Sequence, residues 1–140
     1  MTTAWTTTFF VPGIPQAKGN HRARVVGSKH AQLYDANPKL PAWERAVRYA
    51  AMPVRPPEPL TGPVQLELVF WVPRGKTVKR TWPTSARGGD CDKLVRAVGD
   101  ALKGVIYEDD SQVVIVEAMK RYETLTLGPG CTVTVSEVAW

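Results

Sequence analysis

No acidic residue occurs among the first 34 of the 140 residues, while Lys18, Arg22, Arg24 and Lys29 within that stretch are basic. Cysteine is scarce as well: Cys91 and Cys131 stand alone, with no CxxC pair and no metal-ligand spacing. That argues against a zinc module or a disulfide scaffold and reads as two reduced thiols in a cytoplasmic protein. No apolar run approaches the roughly 18 residues that span a bilayer. The opening MTTAWTTTFFVPG has neither a basic n-region nor a long apolar h-region, so it does not read as a secretory leader. Internal repeats and low-complexity tracts are missing too.

What is present fits one ordinary globular domain spanning residues 1–140. The net charge is +5, which suggests a polyanionic partner, and its distribution says more than its size. From Arg74 to Arg96 there are seven basic residues (Arg74, Lys76, Lys79, Arg80, Arg87, Lys93, Arg96) against two acids, Asp90 and Asp92. From Ala97 onward the balance reverses, with three basic residues against seven acidic. The plain alternative is a solvated surface with chance asymmetry.

The β-branched and aromatic run Thr6–Val11, stopped by Pro12-Gly13, predicts a first strand. Gln16–Val26 reads as loop or irregular strand, and Gly27–Tyr34 as its hairpin return. Asn37–Ala51 reads as a helix capped by Asn37, with Trp43, Val47, Ala50 and Ala51 on one face. The prolines from Pro53 to Pro59 end it. Val64–Val72 alternates cleanly and should bury Val64, Leu66, Leu68, Phe70 and Val72. The stretch from Pro73 to Gly89 reads as a long mobile loop, a length often tied to function. Asp92–Lys103 reads as a second helix with Leu94, Val98, Ala101 and Leu102 on its apolar face and Gly104 as its stop. Gln112–Met119 is a near-continuous Val/Ile run, which predicts a strand buried on both faces. Cys131–Val138 is a last strand. The expected fold class is α/β (α+β): one domain, a mixed sheet, two flanking helices.

Carboxylates gather around the second helix. Asp90-Cys91-Asp92 opens it, and Asp109-Asp110-Ser111 precedes the following strand. Asp at a helix start is an ordinary cap, and Asp-Asp-Ser an ordinary turn. The chemical reading is a hard divalent cation, Mg²⁺ or Mn²⁺, which prefers carboxylate and water oxygens and can assist phosphodiester cleavage. Lys93 and Arg96 on the same helix, with the basic loop before it, would offset the repulsion between these acids and DNA. A helix about three turns long separates the two acid groups by roughly 18 Å, so spacing alone does not bring them together.

The run Asp90-Cys91-Asp92-Lys93-Leu94-Val95-Arg96, then Asp100-Ala101-Leu102, then Asp109-Asp110-Ser111-Gln112-Val113, resembles the pattern of the RusA family of Holliday-junction resolvases. That pattern is D-x-D-N-L-x-K, D-A-L and D-D-x-Q-[VI]. Phe10-Val11-Pro12-Gly13-Ile14-Pro15 and Ala17-Lys18-Gly19 resemble the family's start, and Lys120 matches a basic residue frequent after the third block. The resemblance runs from about Phe9 to Tyr122. It implies that Asp90, Asp92 and Asp110 are metal-binding catalytic aspartates, with Asp109 assisting. It also implies a homodimer that binds a four-way DNA junction and makes paired nicks with Mg²⁺ or Mn²⁺, a protein type often of phage origin. Two positions depart from the pattern: Lys93 stands for the family's Asn, and Arg96 for its catalytic Lys. Arg keeps the charge and grips phosphate as a fork, but it does not release a proton at ordinary pH.

Lys18, Arg22, Arg24, Arg74, Lys76, Lys79, Arg80, Lys93 and Lys120 are the expected DNA contacts, each adding a salt-dependent increment to affinity. Trp82 reads either as a base-stacking residue or as simple packing. His21 and His30 lack a fixed partner and read as surface or DNA-contact residues. Asp100 reads as a structural hydrogen bond or an interface contact, and Cys91, a soft ligand, as pointing into the core. A flap or fork nuclease, a non-catalytic junction binder and a basic structural protein are the competing readings.

Overall fold

The computed structural model describes residues 4–19, 37–85 and 88–140 in full, and the backbone alone of 21–26 and 30–35. Eight main elements follow one another: β1 (Thr6–Pro12), β2 (His21–Val26), β3 (His30–Asp35), α1 (Leu40–Ala51), β4 (Val64–Val72), α2 (Cys91–Leu102), β5 (Val113–Tyr122) and β6 (Gly130–Glu137). Short 3₁₀ turns occupy Met52–Val54 and Asp110–Gln112. β2 and β3 form the expected hairpin as a separate two-stranded sheet. The main sheet has the order β1-β6-β4-β5, antiparallel except for the parallel pair β4 and β5. The architecture is therefore the mixed sheet with two helices that the sequence pattern implies.

Alternation makes the core. Val64, Leu66, Leu68, Phe70 and Val72 of β4 join Phe9 and Val11 of β1 and Cys131, Val133 and Val135 of β6 on one sheet face. Leu40, Trp43, Val47 and Ala51 of α1, with Leu94, Ala97, Val98, Ala101 and Leu102 of α2, close over that face as one cluster. Each large aliphatic side chain buried this way contributes about 1.5–3 kcal/mol. Both cysteines are free thiols, Cys131 in the core and Cys91 half-buried rather than turned fully inward. No helix among the described residues is long and apolar enough to cross a membrane.

Two expectations are corrected. α1 begins at Leu40, not Asn37. Asn37 accepts from Lys39 N in a turn just ahead of the helix (3.1 Å), while its amide donates to Gln16 Oε1 and Ala17 O. Pro41 in the first turn suits that start, because its missing N–H has no helical partner to lose. β5 is not buried on both faces. It is the sheet's edge, and Val114, Ile115, Val116 and Met119 are exposed. The physical reason is its position: β4 pairs with one of its edges, and among the described residues no strand pairs with the other.

Candidate active site

β4, α2 and β5 form a β-α-β unit. The carboxyl ends of its two parallel strands lie together, and ligands of open α/β sheets bind at that end. The loop from Pro73 to Gly89 leaves β4 there and returns to start α2. Gly89 closes the return with φ +85°, a left-handed conformation that suits glycine, and a Cβ would sit 3.0 Å from that of Ala17. Lys120 Nζ, near the end of β5, donates to Gly89 O (2.9 Å). Lys120 thus fixes the loop beside Asp90 instead of standing free for a phosphate.

Asp90 occupies the N-cap position of α2, yet its side chain makes no capping bond. Its carboxylate is 63% exposed, with Lys93 Nζ 3.7 Å away. The ordinary capping role is therefore not what this side chain performs. Asp92 is exposed in the first turn, and Arg96 is exposed one turn on. Beside Asp90 lies a cleft of about 510 Å³, lined among others by Pro15, Gln16, Gly88, Gly89 and Lys93. Another cleft, of about 540 Å³, lies away from it between Leu60–Pro63 and the C-terminal residues up to Trp140.

Asp110 sits at the opposite end of α2. The helix runs from Gly89, at the end of β5, down to the turn that starts β5. Asp90 and Asp100 are about 15 Å apart along it, and Asp110 is hydrogen-bonded to Asp100. The turn is firmly held: Leu60 N donates to Ile106 O (2.8 Å), Glu108 N to Leu60 O (3.1 Å), and Gln112 Nε2 to Leu60 O and Gly62 O. Asp90, Asp92 and Asp110 thus do not meet within one chain. Among the described residues, no group of three or more His, Cys, Asp or Glu is placed to hold a metal ion.

The Asp110 end has its own electrostatics. Burial opposes ionisation of Asp100, but hydrogen bonds to Lys18 and Asp110, and the charges of Lys18 and Arg96, outweigh it and hold its carboxyl below the usual value. Lys18 Nζ is 2.6 Å from Asp100 Oδ2 and mostly covered, so it is turned along α2 rather than outward to a phosphate. Asp110 is pushed the other way. Its hydrogen bond to Asp100 comes first, then burial, then the negative charges of Asp100 and Asp109, with Lys103 opposing. Asp109 is held down at about 2 by its bonds to Ser111 and Lys103. It caps the 3₁₀ turn, accepting from Ser111 N while Gln112 Oε1 accepts from its own N–H. Within this chain that role is structural. Asp100, read from sequence as structural, is the residue that Asp110 pairs with. The D-A-L block was the available signal.

The basic loop docks on the end of β5. Arg74 stacks on Tyr122 (4.7 Å to the ring centroid) and donates to Arg80 O, and Arg80 Nε donates to Tyr122 Oη (3.0 Å). Arg121 lies over Trp82 at 4.5 Å. Lys76 and Lys79 are exposed in the same loop. Sequence reasoning missed Arg121 and Tyr122, because they end an apolar strand and no motif marks them. Arg22, Arg24, His21 and His30 lie on β2 and β3, and their side chains fall outside the described residues, as does Arg87.

Residues 12–136 match the family model described as Endodeoxyribonuclease RusA. The chain belongs to the RusA endodeoxyribonuclease family. It is also 32% identical over 124 residues to the Uncharacterized protein YqaN of Bacillus subtilis (strain 168), covering 81% of this chain and 86% of that one. The RusA match runs from the end of β1 to β6, so β4, α2, β5 and both acid groups fall inside the family's domain.

Proposed function

We propose that this RusA-family chain is a divalent-metal-dependent endonuclease that binds four-way DNA junctions and resolves them by paired nicks as a homodimer, in the cytoplasm of a bacterial or phage-infected cell. The observation that carries the reading is the pair Asp90 and Asp92. These are hard-oxygen carboxylates, exposed at the carboxyl end of a parallel strand pair, not used for capping, and set among cations. One or two carboxylates with water and substrate phosphate are the usual holding set for Mg²⁺, so this donor set fits Mg²⁺ or Mn²⁺. Such an ion, when bound, offsets phosphate charge and makes water a better nucleophile.

The chain's own residues do the rest. Lys93 and Arg96 face the phosphate, and Arg96, permanently charged, acts through charge alone. Arg74, Lys76, Lys79, Arg80 and Arg121 hold flanking phosphates. Asp110 joins the site from a second copy. The edge β5 is long and apolar, the kind of edge that invites another strand. A two-fold antiparallel pairing there would bring the start of one β5, with Asp110, to the Lys120–Gly89 end of the other, where Asp90 lies. Two symmetric sites then account for two nicks.

The test is a nicking assay on a synthetic four-way junction with Mg²⁺ or Mn²⁺, beside a fork and a linear duplex. Cleavage selective for the junction and lost in Asp90→Asn supports the reading. Equal activity of Asp90→Asn and wild type overturns it, and equal cutting of the fork shifts the substrate to replication forks.

A further inference from the structure

We propose that the tip between β5 and β6 is an apolar wedge that enters between base pairs at the branch point, a role that rests on the junction reading above. The tip is bonded rather than slack: Gly128 N donates to Thr124 O (3.1 Å) and Leu127 N to Thr124 Oγ1 (3.3 Å). Gly128, at φ +72°, turns the chain back. Leu125 stands fully exposed and Leu127 mostly so. Single exposed leucines are commonplace, but two on one closed tip form a small projecting apolar blade.

Its surroundings select the occupant. The stem carries Arg121 over Trp82 and Tyr122 under Arg74, and Glu123 Oε1 accepts from Arg74 N, which ties the stem to the basic loop. Lys120, immediately before them, contacts the Asp90 loop. A projecting apolar blade ringed at its base by cations, at the end that holds Asp90 and Asp92, complements nucleic acid: phosphates meet the cations and unstacked bases meet the leucines. Apolar side chains inserted at a base step unstack and kink the duplex, and a branch point is where stacking is already interrupted.

The experiment uses the full chain and a four-way junction carrying 2-aminopurine beside the branch point, in Ca²⁺ buffer, compared with linear duplex. Wild type should raise the fluorescence on binding. Leu125→Ser/Leu127→Ser should lose most of that rise and about tenfold in junction affinity, the scale of one or two apolar side chains left in water. Its duplex affinity and melting temperature should be unchanged, and Leu125→Met/Leu127→Met should keep the signal. An unchanged rise in the serine variant, or an equal loss on duplex, overturns the wedge. A change of self-association with unchanged fluorescence overturns it too, and assigns the tip to a protein contact. Wild type that prefers junctions but gives no rise removes the wedge alone, whereas wild type with no junction preference removes the function reading with it.

Discussion

If Asp110 serves the site of a second copy, two inactive variants should repair each other. Within one chain, Asp90 opens α2 while Asp110 lies beside Asp100, which is about 15 Å further along the axis, whereas a cation reaches its ligands at about 2 Å. In Asp90→Asn homodimers, both composite sites lack the first carboxylate, and in Asp110→Asn homodimers both lack the second. In a mixed dimer, one site collects both substitutions and the other collects neither. Random assortment makes half the dimers mixed, each with one intact site, so nicking should return to about a quarter of wild type. The products should be single nicks, without paired resolution. The two variants are co-produced with different tags and assayed on a junction labelled on each strand in turn. Should each chain build its own site, every site in the mixed dimer is broken. No recovery from a demonstrated mixed dimer would therefore refute the composite arrangement.

Arg96→Lys should leave junction nicking within a few-fold of wild type, while Arg96→Ala should cost about a hundredfold, because a fixed charge on developing phosphate charge is the function assigned to it. A large gain in the Lys variant, with a new alkaline limb in the pH profile, would mean a proton donor is wanted there. Tyr107→Phe should lower stability by about 1–3 kcal/mol in thermal or urea melts without changing binding, since the buried Tyr107 hydroxyl donates to Gly99 O (2.5 Å) near the end of α2. Carboxyl ¹³C titration should place Asp110 above and Asp100 below the ordinary aspartate value, with Asp109 ionised down to about 2. The signs differ: Asp110's contribution to stability is full below the unfolded value and fades as pH rises through its folded one, while Asp100's is full above the unfolded value and fades as pH falls through its folded one. Asp100→Asn should bring Asp110 down, and an unmoved Asp110 midpoint would contradict the shared hydrogen bond.

Much of this was legible in the residues. The alternation in Val64–Val72 gave strand and inward face together, because burial of one side of a sheet imposes period two. Leu94, Val98, Ala101 and Leu102 gave α2 for the analogous helical reason. The run Gln112–Met119 misleads, since apolar residues on both faces signal burial without saying whose surface provides it. Asp90 and Asp92 were legible as chemistry, but their distance from Asp110 depended on the direction in which α2 and β5 run. Lys18 was the subtler case. Its place in an acid-free segment suggested a DNA contact, and only the packing of residues 16–18 along α2 shows it facing Asp100.

The position of Asp100 on α2 sets a limit on how this chain tolerates length changes. One residue added between Arg96 and Asp100 would rotate Asp100 by about 100° around the helix, away from both Lys18 and Asp110, and would shift every later apolar residue off the core. The Pro73–Gly89 loop carries no such phase, because it docks through separate stacked pairs, Arg74 on Tyr122 and Arg121 on Trp82. The loop is thus free to change length without disturbing the core, whereas α2 behaves as a fixed-length spacer between two acidic ends.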